Sequence, residues 1–470
     1  MDSPYTVRVS GHPQLFLDDR CVARTTNLAR CVQQPVKFEG NPVIRADHPW
    51  ERVHVYRPSV IYEPQLDRFR MHYTAISGPK RLATCRAESD DGFHWRKPLG
   101  DEIPFEEQPS NIRRGPAHCI RTGDPRRPYI GVFNKDFVNG RFEGRGCSVA
   151  VSEDGDRWGA ALNITQTKCD TVPSIVWHEP AKRYFVYTRA QAFHPRLEGH
   201  VRITGVMSSE DFEQWTPKYA FNLVSEEEGF PYVQVHALTA HAYGDVLIGE
   251  VPIFHLEESG NNFLARCEIQ LATSRDGWHW QRVAGRGVFL PHGPEDWDRW
   301  YVHSTSMTRK GDTLYFYFNG RAQKHGALRQ LREQHVGIEM PGPESTIGVA
   351  TLPADRFVFF ELAEPNAPGM LDTPPLRFDG RDLVINALSG PMDLQVELFD
   401  VDGAVIPHQA TPLEGFERAC SRLVRKDDLR YRVIWTSDGA KRTLGDAPAG
   451  KPVALRFHLD QSRLYAFQVE

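Results

Sequence analysis

One turn is written into the chain four times: SDDGFHW from Ser89, SEDGDRW from Ser152, SEDFEQW from Ser209 and SRDGWHW from Ser274, all of the form Ser-x-Asp-[Gly/Phe]-x-x-Trp. Recurrence at intervals of roughly sixty residues marks a repeat architecture, in which each unit must bury its faces against the next. The turn has its own mechanics. Ser and Asp side chains accept backbone N–H groups in a tight bend, Gly supplies a positive φ, and Trp packs between adjacent sheets. Asp91, Asp154, Asp211 and Asp276 are therefore expected on the outer rim, as structural rather than catalytic residues.

Each copy closes a longer unit, in which an apolar run, a turn and an aromatic-rich strand come first. In the first unit these are RPSVIYEPQLDRFRMHYTA and LATCRAESDDGFHW; in the third they are VPSIVWHEPAKRYFVYTRA and RITGVMSSEDFEQW. The second unit has GPAHCIRTGDPRRPYIGVFN, the fourth VHALTAHAYGDVLIGEVPIF, and a degenerate fifth has HSTSMTRKGDTLYFYFNG and TIGVATLPADRFVFFEL. Short alternating strands with Gly, Pro or Asp at the joints predict an all-β fold, and about four strands per period predict a five-bladed β-propeller over residues 1–365. The strand near QLFLDD is expected to complete the last blade, since closure removes two sheet edges.

The stretch 366–375 is Pro-rich and reads as a linker. Beyond it the strand rhythm shortens, and turns at Asp379-Gly380 and Asp402-Gly403 predict a C-terminal β-sandwich accessory domain over 376–470. A chain of 470 residues has room for this division.

Charge narrows the partners. Lys plus Arg number 56 against 61 for Asp plus Glu, and no basic block appears, which argues against nucleic acid and membrane surfaces. No basic segment precedes an apolar run and no span of eighteen apolar residues occurs, so a cytoplasmic location is expected unless a leader has been trimmed. The eight cysteines are scattered singly, so they read as buried small hydrophobes in a reducing compartment. Homo-oligomerisation is left open.

In a propeller the starts of the innermost strands point into a central funnel. The first blade offers His54 and Arg57, the second Arg114 and His118, the third Asp170, the fourth Gln234, His236 and Glu250, and the fifth Asp298, Trp300, His303, Arg321 and His325. Aromatic faces that stack on C–H surfaces, beside Asp, Arg, His and Gln that grip hydroxyls, suit a carbohydrate substrate. Glycosidic cleavage needs a protonated carboxyl and an ionised one, and Asp170, Glu250 and Asp298 are the candidates. Each has a structural alternative: Asp170 capping a turn, Glu250 pairing with Arg266, Asp298 pairing with Arg299 or Arg321. The histidines lack ligand spacing, so no metal or other cofactor is expected, a single central Ca²⁺ being the alternative.

Arg57-Pro58-Ser59-Val60 followed by Phe69-Arg70-Met71-His72-Tyr73, with the later YFYFNG and IGVATLPADRF, resembles the five-bladed propeller glycosidases of families 32, 43 and 68. LFLDDR, QQPVKFEGNPVIRADHPWE and GKPVALRFHLDQSRLYAFQ are similar to a bacterial group described as glycosyl hydrolase family 32 N-terminal-like. The resemblance implies a glycoside hydrolase acting on a small oligosaccharide or glycoside in the central pocket. The chain departs from those families at one place, because they carry a catalytic Asp just before the Pro of the first inner strand and this chain has Arg57. An Arg there, with Arg114 and several His nearby, points to an anionic substrate group, a uronate or the phosphate of a phosphorolytic reaction. The alternatives are a uronate lyase with His or Tyr as base and a non-catalytic carbohydrate-binding propeller.

Overall fold

The computed structural model describes the chain except residues 1–5, 10, 79–80, 117, 139–140, 145, 258–261, 327–344, 391–393, 402–410, 424–425 and 449; for 81, 136–138, 141–143, 170–172, 263, 304 and 305 it describes the backbone alone. Regular structure among the described residues is β-strand with short 3-10 turns and no α-helix, so no helix is long and apolar enough to cross a membrane. The chain divides into two compact units: residues 35–282 with 288–352, and residues 1–34 with 283–287 and 353–470.

The larger unit is a succession of antiparallel groups. His54–Glu63, Arg68–Gly78, Arg81–Ser89 and Ile112–Arg113 form the first four-stranded sheet; His118–Arg121, Tyr129–Phe133, Cys147–Ser152 and Leu162–Thr165 form the second. Asp170–His178, Arg183–His194, Gly199–Ser209 and Tyr219–Phe221 form the third. A fourth group, built on Thr239–Tyr243, Val246–His255 and Arg266–Ser274, meets a fifth, built on Tyr301–Lys310, Thr313–Arg321 and Thr346–Pro353, through a single parallel pair, Cys267 with Tyr301. The first strands of the groups neighbour one another in cyclic order, with Tyr301–Lys310 returning to His54–Glu63. Arg183–His194 shows the packing: its first eight residues are almost wholly buried between neighbours, and only its tail becomes exposed.

The Ser-x-Asp turns fasten this succession. Ser89 Oγ accepts from the Gly92 N–H at 2.8 Å, and Asp91 Oδ1 accepts from the N–H groups of Phe93 and His94, each at 2.8 Å. The same hydrogen bonds recur around Asp154, Asp211 and Asp276. Every turn then docks on the preceding group through one carbonyl. Tyr317 Oη donates to Gly92 O, Arg70 to Asp154 O, Arg127 to Asp211 O and Tyr187 Oη to Gly277 O. Trp95 meets Tyr317 edge to face at 5.6 Å, and Trp280 meets Tyr187 at 5.3 Å.

The other unit holds two six-stranded sheets. One runs through Val7–Arg8, Leu376–Arg377, Val453–Leu459, Gly369–Asp372 and Arg24–Thr26, with Leu394–Asp400 also on Val453–Leu459. The second runs through Asp427–Arg432, Leu383–Leu388, Arg463–Val469, Val358–Leu362 and Leu28–Val32, with Gln14–Leu15 also on Arg463–Val469. Phe457 of the first and Phe467 of the second touch, ring centroids 5.8 Å apart.

Two expectations are corrected here. The QLFLDD segment does not complete the last group of the larger unit: Gln14 and Leu15 pair with Phe467 and Ala466, and the fully buried Phe16 packs against Phe360 and Phe467. Val36–Lys37 takes the expected place, pairing with Thr351 and Ala350. The domain boundary also moves, because residues 353–365 belong with the C-terminal strands and 366–375 is no free linker. Gly369–Asp372 lies between Arg24–Thr26 and Val453–Leu459, its backbone groups used on both sides. Asp402-Gly403 falls outside the described residues.

Candidate active site

The first strands of the larger unit are interrupted at one level. Register shifts fall between Tyr56 and Ser59, Asp170 and Ser174, and His303 and Ser306, while pairing lapses from His236 to Leu238. Such irregularities re-aim side chains out of the pleat. Just past three of them a serine ties its strand to the next, and His118 does the same from the second inner strand. Ser59 Oγ donates to Cys119 O at 2.8 Å and accepts from the Cys119 N–H at 2.9 Å. His118 Nδ1 accepts from Ile175 N–H at 3.4 Å, Ser174 Oγ from Ala240 N–H at 3.0 Å, and Ser306 Oγ from Val60 N–H at 2.8 Å. Sequence reasoning missed these serines as a set; the signal was the Ser of RPS, VPS and HSTS in three inner strands.

The interruptions gather one cluster. The His236 ring is 4.3 Å from His303 and 5.7 Å from His325, and Tyr301 lies 5.4 Å from His303 and 5.5 Å from His325. Arg321 lies over the Tyr301 ring at 5.2 Å and donates to His325 O at 2.8 Å. Arg202 lies over Phe254 at 4.4 Å and donates to Gln234 Oε1, whose amide nitrogen donates to Pro231 O. Arg57 joins through its backbone, its N–H donating at 2.7 Å to Asn319 Oδ1, and Asn319 pairs opposite His303. Its φ of 60° is left-handed, an unfavourable conformation for a long side chain.

Burial, then the surrounding cations, hold His236 and His303 well below the ordinary histidine range, and burial with Arg321 and Arg202 brings His325 down to about 3. These rings are neutral at pH 7, so the arginines carry the charge. Trp300, 38% exposed, has Lys324 over its ring at 5.3 Å, and His54 sits 5.5 Å from Tyr56.

The carboxylates fall in different places. Glu250 is fully buried on Val246–His255, with Oε1 2.7 Å from His241 Nε2 but without hydrogen-bond alignment, so neither oxygen has a hydrogen-bond partner among the described residues. Strand alternation puts Glu250 and Phe254 on one face, and Phe254 packs on His236 and His325. Four steps along the strand separate Glu250 from Phe254, about 13 Å. His241, missed from the sequence, alternates in the inner strand TAHAY and lines a cavity of about 540 Å³ with Ile61, Arg121, Trp177 and Met307.

Asp170 has only its backbone described, opposite Arg189 in the sheet. Three candidates stand apart from the cluster. Asp298 is fully buried but held by Lys37, whose Nζ lies 2.5 Å from Oδ2 and also donates to Pro291 O, so neither Arg299 nor Arg321 is its partner. Arg114 is exposed in a groove of about 1180 Å³ with Arg86, Arg113, Asp156 and Trp158, because its segment leaves the first sheet before the second inner strand begins. His118 is used by Ile175 and, buried near His241, is brought down to about 3.

Among the described residues no group of three or more His, Cys, Asp or Glu is arranged to hold a metal ion. Guanidinium and imidazole groups are also the wrong ligands for Ca²⁺, which takes oxygen.

No protein-family model matches the chain, and no curated protein matches it by sequence. Solved structures do match. An N-acetylgalactosamine deacetylase from F. plautii, in complex with blood group B trisaccharide, is 15% identical, with 70% of this chain and 96% of that chain covered and a TM-score of 0.45. A thermostable family-43 glycoside hydrolase is 12% identical, with 67% and 92% covered and a TM-score of 0.41. A fructofuranosidase from Schwanniomyces occidentalis, complexed with fructosylnystose, is 10% identical, with 93% and 98% covered and a TM-score of 0.41.

Proposed function

We propose that the larger unit is a five-bladed β-propeller, that the other is a β-sandwich support, and that the protein is a glycoside hydrolase acting on a small oligosaccharide or glycoside. The observation that carries this reading is Glu250. It is fully buried, 2.7 Å from His241 but with neither oxygen hydrogen-bonded among the described residues, and a carboxylate so placed costs several kcal/mol, a burden that folds accept chiefly where chemistry uses it. Glu250 stands on the strand face that leads to three neutral histidines, a tyrosine and three arginines, a set able to orient sugar hydroxyls. Glu250 and Asp170 are the proposed acid and base, and Asp298 is the anchor of Lys37. The test is a panel of aryl glycosides and uronate-containing oligosaccharides, with product stereochemistry followed by NMR. At least one glycoside should be cleaved, and Asp170→Asn should lower kcat by about a hundredfold or more. Normal turnover in that variant removes Asp170 from the pair.

A second reading, a uronate lyase, is favoured by one specific observation. Tyr301 and His303 are neutral and sit beside Arg321, which is the base-and-cation pairing that β-elimination from a uronate needs. The same panel separates the two. A lyase releases an unsaturated uronate with ultraviolet absorbance and takes up no solvent oxygen, whereas a hydrolase incorporates oxygen from labelled water.

A further inference from the structure

Two arginines in the cluster lack any carboxylate. Arg57 is half-buried, and its contacts are the backbone bond to Asn319 and the face of Tyr56 at 4.8 Å. Arg321 is also half-buried, and its side chain donates to the His325 carbonyl and lies over the Tyr301 ring. Neither has an ion-pair partner among the described residues, although most other partly buried cations here have one: Lys37 holds Asp298, Arg70 holds Glu63, Lys97 holds Glu51 and Arg456 holds Asp372. Arg57 and Arg321 both act on the buried His303, and donors without assigned partners lie in the same cluster. Among the described residues Arg57 Nε, Arg321 Nε and His236 Nδ1 have no hydrogen-bond partner, and the buried Tyr301 hydroxyl has none beyond the neighbouring Cys267 thiol. Arg57 is moreover held at a left-handed φ, beside a register shift that turns it out of the sheet.

A protein that buries cationic donors without a counter-charge has left room for one that arrives from outside. We propose that this mouth binds an oxyanion carried by the substrate, a sugar carboxylate or a sugar phosphate, with Arg57 and Arg321 supplying the charge and Tyr301 and His236 further hydrogen bonds. The inference rests on the reading of the mouth as a carbohydrate site, and it names the class of sugar. Planar guanidinium suits both anions, because each presents paired oxygens to its fork. The neutral histidines add donors without adding charge, so selectivity rests with the two arginines.

The experiment is calorimetric titration of the full chain at low ionic strength with D-glucuronate, D-galacturonate, glucose 6-phosphate, inorganic phosphate, D-glucose and D-galactose. At least one anionic sugar should bind about tenfold or more tighter than its neutral counterpart, and the preference should weaken with salt. A uronate winner names the carboxylate as source; glucose 6-phosphate with inorganic phosphate names the phosphate. Arg321→Gln and Arg57→Gln should each abolish the preference at unchanged melting temperature, and Arg321→Lys should keep part of it. Equal binding of neutral and anionic sugars, no binding of any anion, or an intact preference in a folded Arg321→Gln overturns the inference. Should both glutamine variants unfold, the wild-type chain decides: the anionic sugar must raise its melting temperature above that in chloride of equal ionic strength, and no rise counts against the inference. Anionic binding with no glycoside turned over would sink the hydrolase reading and leave this one standing; turnover of neutral glycosides without anionic preference does the reverse.

Discussion

Three of the four Ser-x-Asp turns place Gly at the left-handed position, with φ of 84°, 75° and 79°, and the third places Phe212 there at 69°. Phe212 gains from burial what it loses in backbone strain, since it is 6% exposed and meets Tyr184 edge to face at 5.0 Å. Removing a buried Phe costs about 3–5 kcal/mol, and relief of a left-handed residue returns about 1–2. Phe212→Gly should therefore destabilise the protein by roughly 2 kcal/mol in urea unfolding; a stabilised variant would mean that strain governs the site. The Asp side chains of these turns also set an acid limit. Desolvation opposes ionisation of Asp276, but the His279 side chain and the backbone N–H groups of His279 and Trp278 outweigh it and bring the carboxyl down to about 2. A depressed carboxyl contributes stability above its unfolded value of about 4 and loses it as pH falls toward the folded value. Melting temperature should fall between about pH 4 and 2, and by less in Asp276→Ala, which starts lower; parallel curves for the two proteins would remove the turn from the acid transition.

At the scale of strands, the inner serines are the joints on which the site depends. Ser59 is fully buried, and its hydroxyl serves both the N–H and the C=O of Cys119. Ser59→Ala leaves two buried backbone groups without partners, at about 1–3 kcal/mol each when nothing replaces the bond. A loss of roughly 2 kcal/mol in unfolding is expected, and a loss under about 0.5 would show that water or a shift in the strand takes over. Strand existence was legible in the sequence because alternation and the repeated turn are local. Pairing partners were less so. QLFLDD and the segment containing Val36 are both short and apolar, and only tertiary contact decides that Phe16 packs on Phe360 and Phe467 while Val36, 71% exposed, takes an open edge.

For the whole molecule, the grouping of the candidate residues was partly legible in the sequence. Inner-strand starts pointed to Arg57, His236 and His303, and the end of the next strand to Arg321 and His325; the structure brings these together, because in a cyclic array they share one level whatever their separation in sequence. Asp298 and Arg114 lie apart from that cluster for one reason: each stands next to an inner strand in sequence, yet the chain turns away before that strand, toward Lys37 in one case and the Trp158 groove in the other. Glu250 is where the functional and structural readings give opposite outcomes. If it serves only to hold His241, then Glu250→Gln breaks a buried contact and should lower the melting temperature by several degrees with little change in kcat. If it is the acid or base of the reaction, the amide can move no proton, and kcat should fall about a hundredfold or more while KM changes little. Stability then holds, because Gln carries no charge to desolvate and can keep the unaligned 2.7 Å approach to His241, neither carboxylate oxygen being hydrogen-bonded among the described residues. We expect the second outcome, read from kcat on a cleaved glycoside together with thermal unfolding of the same sample; a destabilised variant with normal turnover would make Glu250 a structural residue.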